Sequence, residues 1–205
     1  PNVVGVVKDT FMKPMATNFV AIPDDIGGTA ATGFSDGTNN FTGDGYAVAV
    51  IDSGITSALP NFTGQIISEA CYSDQEEYVD ATVTSVCPGG AVSSVATGSA
   101  EVGTCTDLND AECWHGSAVS AVMAGTTQQE TLMTESVSLS GVAKDSKLIV
   151  IRNAITIHEK VGQADWRGDA GNETETCVVP WSSGVLEGLN RVIALASDPS
   201  FTTPI

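Results

Sequence analysis

Residues 46–52, YAVAVID, limit what this chain can fold into more than any other stretch. A continuous apolar run with β-branched residues is the pattern of a strand buried on both faces, and such strands belong to parallel sheets covered by helices on either side. The run stops on a carboxylate, Asp52, followed at once by Ser53 and Gly54. A strand that ends on an acid places it at the carboxyl edge of the sheet, where open α/β sheets build their sites. The structural alternative is that Asp52 only caps the turn that follows. A second run of the same kind, KLIVIRN at 147–153, supplies another buried strand.

The composition agrees with an α/β core. Hydrophobic residues make up 42% of the chain but aromatic ones only 6%, so the interior must be built from Val, Ile, Ala and Leu. A chain of 205 residues suits one large domain. The 8 basic and 25 acidic residues leave a formal charge of −17, which repels phosphate backbones and anionic membranes. Nucleic-acid and membrane partners are therefore not expected, and no apolar run is long enough to span a bilayer. The residues from Pro1 onward do not have the pattern of a secretory leader, which a processed chain would have lost, so the compartment is read from the cysteines.

Cys71, Cys87, Cys105 and Cys113 lie in a polar stretch rich in Gly, Ser, Thr and Asp. In such a setting they point to loops stapled by disulfides in an oxidising compartment, so the expected location is secreted or extracellular. Three pairings are open; the sequential one, Cys71 with Cys87 and Cys105 with Cys113, closes the shortest loops. A bridge across about 15 residues stabilises by roughly 3 kcal/mol in the chain-entropy model. Cys177 is left over, as a free thiol or as the partner of a cysteine elsewhere. Zinc held by Cys105, Cys113 and His115 is the alternative, but their spacing matches no common finger or ribbon.

Residues 1–9, PNVVGVVKD, have the pattern of a short strand, and 10–45 form an irregular connection punctuated by Pro, Gly, Asn and Asp. HGSAVSAVMAG, 115–125, is small and apolar on nearly every side, as in a helix buried mid-domain, with His115 at its mouth. The last element is an amphipathic helix with Val185, Leu189, Val192, Ile193 and Ala196 on its apolar face, Ser182 or Ser183 as N-cap and Pro199 as stop signal. Little room remains after it for the next strand of the sheet, so the architecture is expected to be cut. His158 has no partners in sequence and is assigned to the surface. Asn40, Asn61 and Asn172 head Asn-x-Thr sequons, relevant only in a eukaryotic secretory pathway.

Two functional readings compete for Asp52. DSGIT, 52–56, is similar to the phosphate-binding hairpin of the actin and sugar-kinase ATPases, but that motif needs a second strand directly after a tight turn, and SALPNFTG carries Pro60 and little β-branching. The other follows from the order Asp52, then His115, then the GVAKDSKLIVIRN strand, which resembles the subtilisin-like serine peptidases. VAVIDSGI is similar to that family's Asp motif, and HGSAVSAVMAG is similar to its His motif, with Ser117 and Ala118 standing where a threonine and a second histidine are usual. EACYS, VCPGG and ECWHG are similar to the disulfide-bearing bacterial secreted members.

The resemblance covers roughly residues 42–200 and implies a parallel sheet flanked by helices, incomplete in this chain, with Asp52 as triad acid and His115 as triad base. It implies a serine endopeptidase acting on protein or peptide substrates. The family's Gly-Thr-Ser-Met-Ala nucleophile motif is absent from the 205 residues, so this stretch alone is expected to be inactive and a second chain carrying the serine is an expected partner. A non-catalytic binding or structural domain derived from the same fold is the other outcome. Residues 1–12 read as a propeptide tail or an N-terminal strand, and 13–205 as the amino-terminal part of the catalytic domain. No cofactor is required; calcium is allowed as a structural ion, with no ligands assigned and no metal site named.

Overall fold

The two apolar runs lie side by side as parallel strands in a computed structural model that describes residues 41–73, 81–102, 111–132, 135–159, 176–179 and 182–205. In chain order the elements are strands β1 (Ala47–Asp52), β2 (Ile66–Tyr72), β3 (Ala81–Ser85) and β4 (Ser93–Ser94), helix α1 (Ala111–Ala124), strands β5 (Gln128–Leu132), β6 (Glu135–Leu139), β7 (Lys147–Asn153), β8 (Ile155–Glu159) and β9 (Thr176–Val179), and helix α2 (Ser182–Ser197). The main sheet runs β1-β7-β2-β4, with β7 parallel to both neighbours and β4 antiparallel at the edge. A smaller antiparallel sheet, β3-β8-β9, continues from the end of β7, and β5 and β6 form a hairpin.

Strand alternation sorts the core into two layers. Val48 and Val50 of β1 and Leu148 and Val150 of β7 pack with Ala121, Val119, Ala124 and Phe62 under α1. Ala47, Ala49 and Ile51 and their neighbours Ile149 and Ile151 pack with Val192 and Leu195 of α2 on the opposite face. Because successive side chains point to opposite faces, Asp52 falls on the α1 side with Val48 and Val50. That parity is what aims the acid at the helix carrying His115.

The β1 strand does not return as a hairpin. After Thr56 come a short 3-10 turn at Pro60–Phe62 and then β2, which pairs with β7 and not with β1. A tight phosphate-binding hairpin is thus not formed.

Helix α2 sits differently from its sequence expectation. Its buried positions are Gly184, Gly188 and Leu195, whereas Leu189 is 47% and Ile193 62% exposed. The cause is the absence of side chains at the glycines: a Cβ on Gly188 would lie 3.0 Å from Ile51 Cγ2 and 3.3 Å from Ile151 Cγ2. Where the backbone itself can rest on the sheet, the glycine stripe wins over the leucine stripe. Helix α1 also starts earlier than expected, at Ala111, so His115 stands one turn inside the helix and not at its mouth.

The far end of α1 is held by a buried amide. Gln65 Nε2 donates to Ala124 O (2.5 Å), Lys144 O (2.8 Å) and Ser146 O (3.3 Å), joining the carbonyl end of the helix to the turn before β7. Carbonyls at a helix end have no partner of their own. Gln65→Leu keeps the volume but strands these carbonyls in a dry site, and is expected to lower the unfolding free energy by about 2 kcal/mol in urea titration. An unchanged midpoint would show that the amide is dispensable.

The Cys71–Cys87 bridge is formed, with Cα atoms 5.6 Å apart. Cys105 and the side chains of Cys113 and Cys177 lie outside the described residues, as do residues 1–12 and the side chain of His158. Of α1 and β9 only the backbone bears on Cys113 and Cys177, so the second expected pairing is not addressed by them.

Candidate active site

The site is assembled where β1 ends. Gly54 has φ +117°, a conformation that side-chain-bearing residues rarely adopt, and it turns the chain sharply away from the strand. Ile55 is then bracketed by a neighbouring segment: its N–H donates to Ala100 O (2.9 Å), and Val102 N–H donates to its carbonyl (2.8 Å). Asp52 is left at the carboxyl edge with its side chain facing α1.

His115 meets it there. Nδ1 lies 2.8 Å from Oδ1 and 2.9 Å from Oδ2 of Asp52, and Ser53 N–H also donates to Oδ1 at 2.6 Å. An ionised carboxylate only accepts, so this contact puts the proton of neutral His115 on Nδ1 and leaves Nε2 as the basic nitrogen. The side chains are 14% and 17% exposed for His115 and Asp52 respectively. Nε2 is buried and has no hydrogen-bond partner among the described residues. A buried imidazole nitrogen of this kind is a strong acceptor waiting for a donor.

What fixes the pair is a reciprocal clamp between the turn and the helix. Gly116 N–H donates to Ser53 Oγ at 3.0 Å, and Thr56 N–H donates to Ser117 Oγ at 2.9 Å. Gly116 makes the approach possible, because a Cβ there would collide with Gly54 O and come within 3.1 Å of Asp52 Oδ1. Ser53 and Ser117 were not singled out by their sequence as structural partners. The signal was present in their positions, one residue after the acid and two after the histidine.

The geometry is that of a carboxylate hydrogen-bonded to an imidazole on an α/β sheet edge, and a comparison with protein families decides its lineage. The Peptidase_S8 model, the subtilase family, matches residues 43–186, which include Asp52, His115 and the strand β7 between the two helices. The chain belongs to the subtilase family. Membership carries serine peptidase activity as the family's general chemistry, and the parallel sheet flanked by helices is the fold expected of this subtilase. No curated protein matches the chain. Among the described residues, no group of three or more His, Cys, Asp or Glu side chains is placed to hold a metal ion.

Proposed function

We propose that this subtilase chain supplies the acid and base of a serine endopeptidase, Asp52 and His115, and that the nucleophilic serine comes from outside the 205 residues. The observation that carries the reading is the contact of His115 Nδ1 with both Asp52 oxygens, with Nε2 buried and without a partner among the described residues. In the reaction, Nε2 takes the proton of the serine hydroxyl as its oxygen attacks the scissile carbonyl. Asp52 stabilises the imidazolium, which then protonates the departing amine. Water repeats the cycle on the acyl-enzyme and releases the acid. Asp52 remains ionised throughout.

A serine-bearing segment would join the sheet at the outer edge of β1. Among the described strands, β1 ends the sheet, and its Ala47 N–H donates to Pro204 O at 2.7 Å on the side away from β7. An extended segment joining there would add the next strand and bring the remaining machinery beside Asp52. Secretion forms part of the proposal: the Cys71–Cys87 bridge suits an oxidising compartment. No described helix is long and apolar enough to cross a membrane.

The test is intact mass under denaturing, non-reducing conditions, followed by labelling with a fluorophosphonate probe. The 21.0 kDa chain is expected to take no probe by itself, and a serine-bearing segment associated with it is expected to take the label. Labelling on the 205 residues themselves would place the nucleophile within them and end this assignment.

A further inference from the structure

Arg152 lies one strand away from Asp52, in the same row of the sheet, and takes no part in the proton transfer described above. The register aligns Asp52 on β1, Arg152 on β7 and Cys71 on β2. By alternation Arg152 shares the α1 face with Leu148 and Val150, and therefore with Asp52. It is 8% exposed. Burial lowers its pKa to about 10, which leaves the guanidinium charged at neutral pH.

A buried cation needs an explanation. Among the described residues no carboxylate lies within salt-bridge distance of Arg152; the Glu101 carboxylate acts on it from further away and only partly offsets the lowering by burial, so most of the desolvation cost stands. An apolar side chain of similar length would serve packing better. One nitrogen of the guanidinium instead serves two loop carbonyls: Nη1 donates to Val86 O and to Glu101 O, both at 2.9 Å, while Nε is buried without a partner among the described residues. Val86 precedes Cys87, whose disulfide to Cys71 ties that loop to the end of β2. Glu101 forms a bridge with Ile55, three residues after Asp52. The stem of Arg152 also packs beneath the turn, since a Cβ on Gly54 would lie 3.1 Å from its Cδ.

We propose that Arg152 is a positioning residue, which fastens the 52–56 turn to the disulfide loop and so holds Asp52 against His115. The assignment rests on the catalytic reading of that pair. Through Glu101, the guanidinium fixes the segment that brackets Ile55; through Val86, it refers that segment to a covalently anchored loop. The Cys71–Cys87 bridge thereby contributes to the geometry of the acid, although its sulfurs do not touch it.

The experiment compares Arg152→Met and Arg152→Lys in the serine-bearing enzyme, reading kcat and KM separately, together with the low-field proton resonance of His115 Nδ1. Arg152→Met is expected to lower kcat about 30-fold with KM within about twofold, within the range that a displacement near 1 Å causes. The Nδ1 resonance is expected to broaden. Arg152→Lys, which still donates to one carbonyl, is expected to recover at least about a third of the lost logarithm of kcat. Unchanged kcat with an intact resonance overturns the proposal, and so does a change confined to KM. If Arg152→Met does not fold, Arg152→Lys is judged by the same kcat and resonance criteria, since loss of one of the two Nη1 bonds should still lower kcat. Asp52→Asn, run in parallel, separates the two readings: full activity there removes the catalytic assignment, while the Nδ1 resonance of the arginine variants still reports whether Arg152 positions His115 and Asp52.

Discussion

Asp52→Asn in the serine-bearing enzyme should lower kcat by about 10⁴-fold, the scale known for the acid of serine protease triads, while KM and folding stability change little. The reason is tautomeric. Asp52 offers two acceptor oxygens to His115 Nδ1 at 2.8 and 2.9 Å, so neutral His115 carries its proton there. An asparagine presents an NH₂ as well as an oxygen, and Ser53 N–H, now 2.6 Å from Oδ1, favours keeping the amide oxygen on its own side. The NH₂ then takes the Oδ2 position, 2.9 Å from Nδ1, where as a donor it competes with the amide oxygen for that nitrogen and draws the ring proton toward Nε2, which weakens the base. His115→Ala should cost on the order of 10⁶-fold, and adding Asp52→Asn to it should cost almost nothing further, because the acid acts only through the imidazole. That non-additivity discriminates better than either single loss. If the two effects multiply, Asp52 and His115 do not work as a unit.

Much of this site could be read from residue order. The period of two in a β strand makes the side of Asp52 computable from YAVAVID alone, once α1 is known to cover the Val48 and Val50 face. By the same parity Arg152 in KLIVIRN falls on that face, a deduction available without coordinates but obscured by its position at the end of an apolar run. β2 was harder to recognise. Its sequence, IISEACY, carries a serine and a glutamate, and Glu69 is nonetheless buried because Gly98 N–H donates to its Oε2 at 2.7 Å. A polar side chain that finds its partner within the fold erases the hydrophobic signature by which buried strands are recognised. The TTQQETLMTESVSLS stretch contains the β5–β6 pair, whose polar strands carry no core periodicity.

The departures in the histidine motif have a physical reading. Where threonine is usual in the family, Ser117 still provides the hydroxyl oxygen that accepts Thr56 N–H, and the methyl group has no part in that bond. Ala118 is half-buried beside it and is not required to hold the acid and base together. The substituted motif therefore retains the clamp. What it cannot lose is the space at the residue between His115 and Ser117.

Gly116→Ala tests that space, and its expected effect has the opposite sign to helix propensity. In an ordinary helix interior, alanine is more favourable than glycine by about 0.5–1 kcal/mol. Here the added methyl would run into Gly54 O, lie 2.9 Å from Gly54 N and approach Asp52 Oδ1 at 3.1 Å. Two of these atoms are backbone and cannot rotate aside, and residue 54 is already glycine, so the turn has no side chain to give up. Relief requires moving α1 away from β1. That movement stretches the Gly116 to Ser53 and Thr56 to Ser117 hydrogen bonds before it opens the Asp52–His115 contact. Overpacking against backbone is expected to lower stability by about 3 kcal/mol, the upper part of the usual range. The accompanying displacement of His115 should lower kcat on the order of 100-fold. Urea unfolding and steady-state kinetics on the same preparation check both. A variant as stable as the parent, or more so, would mean that helix propensity governs the position and that the turn and the helix are not in the close contact on which the site depends.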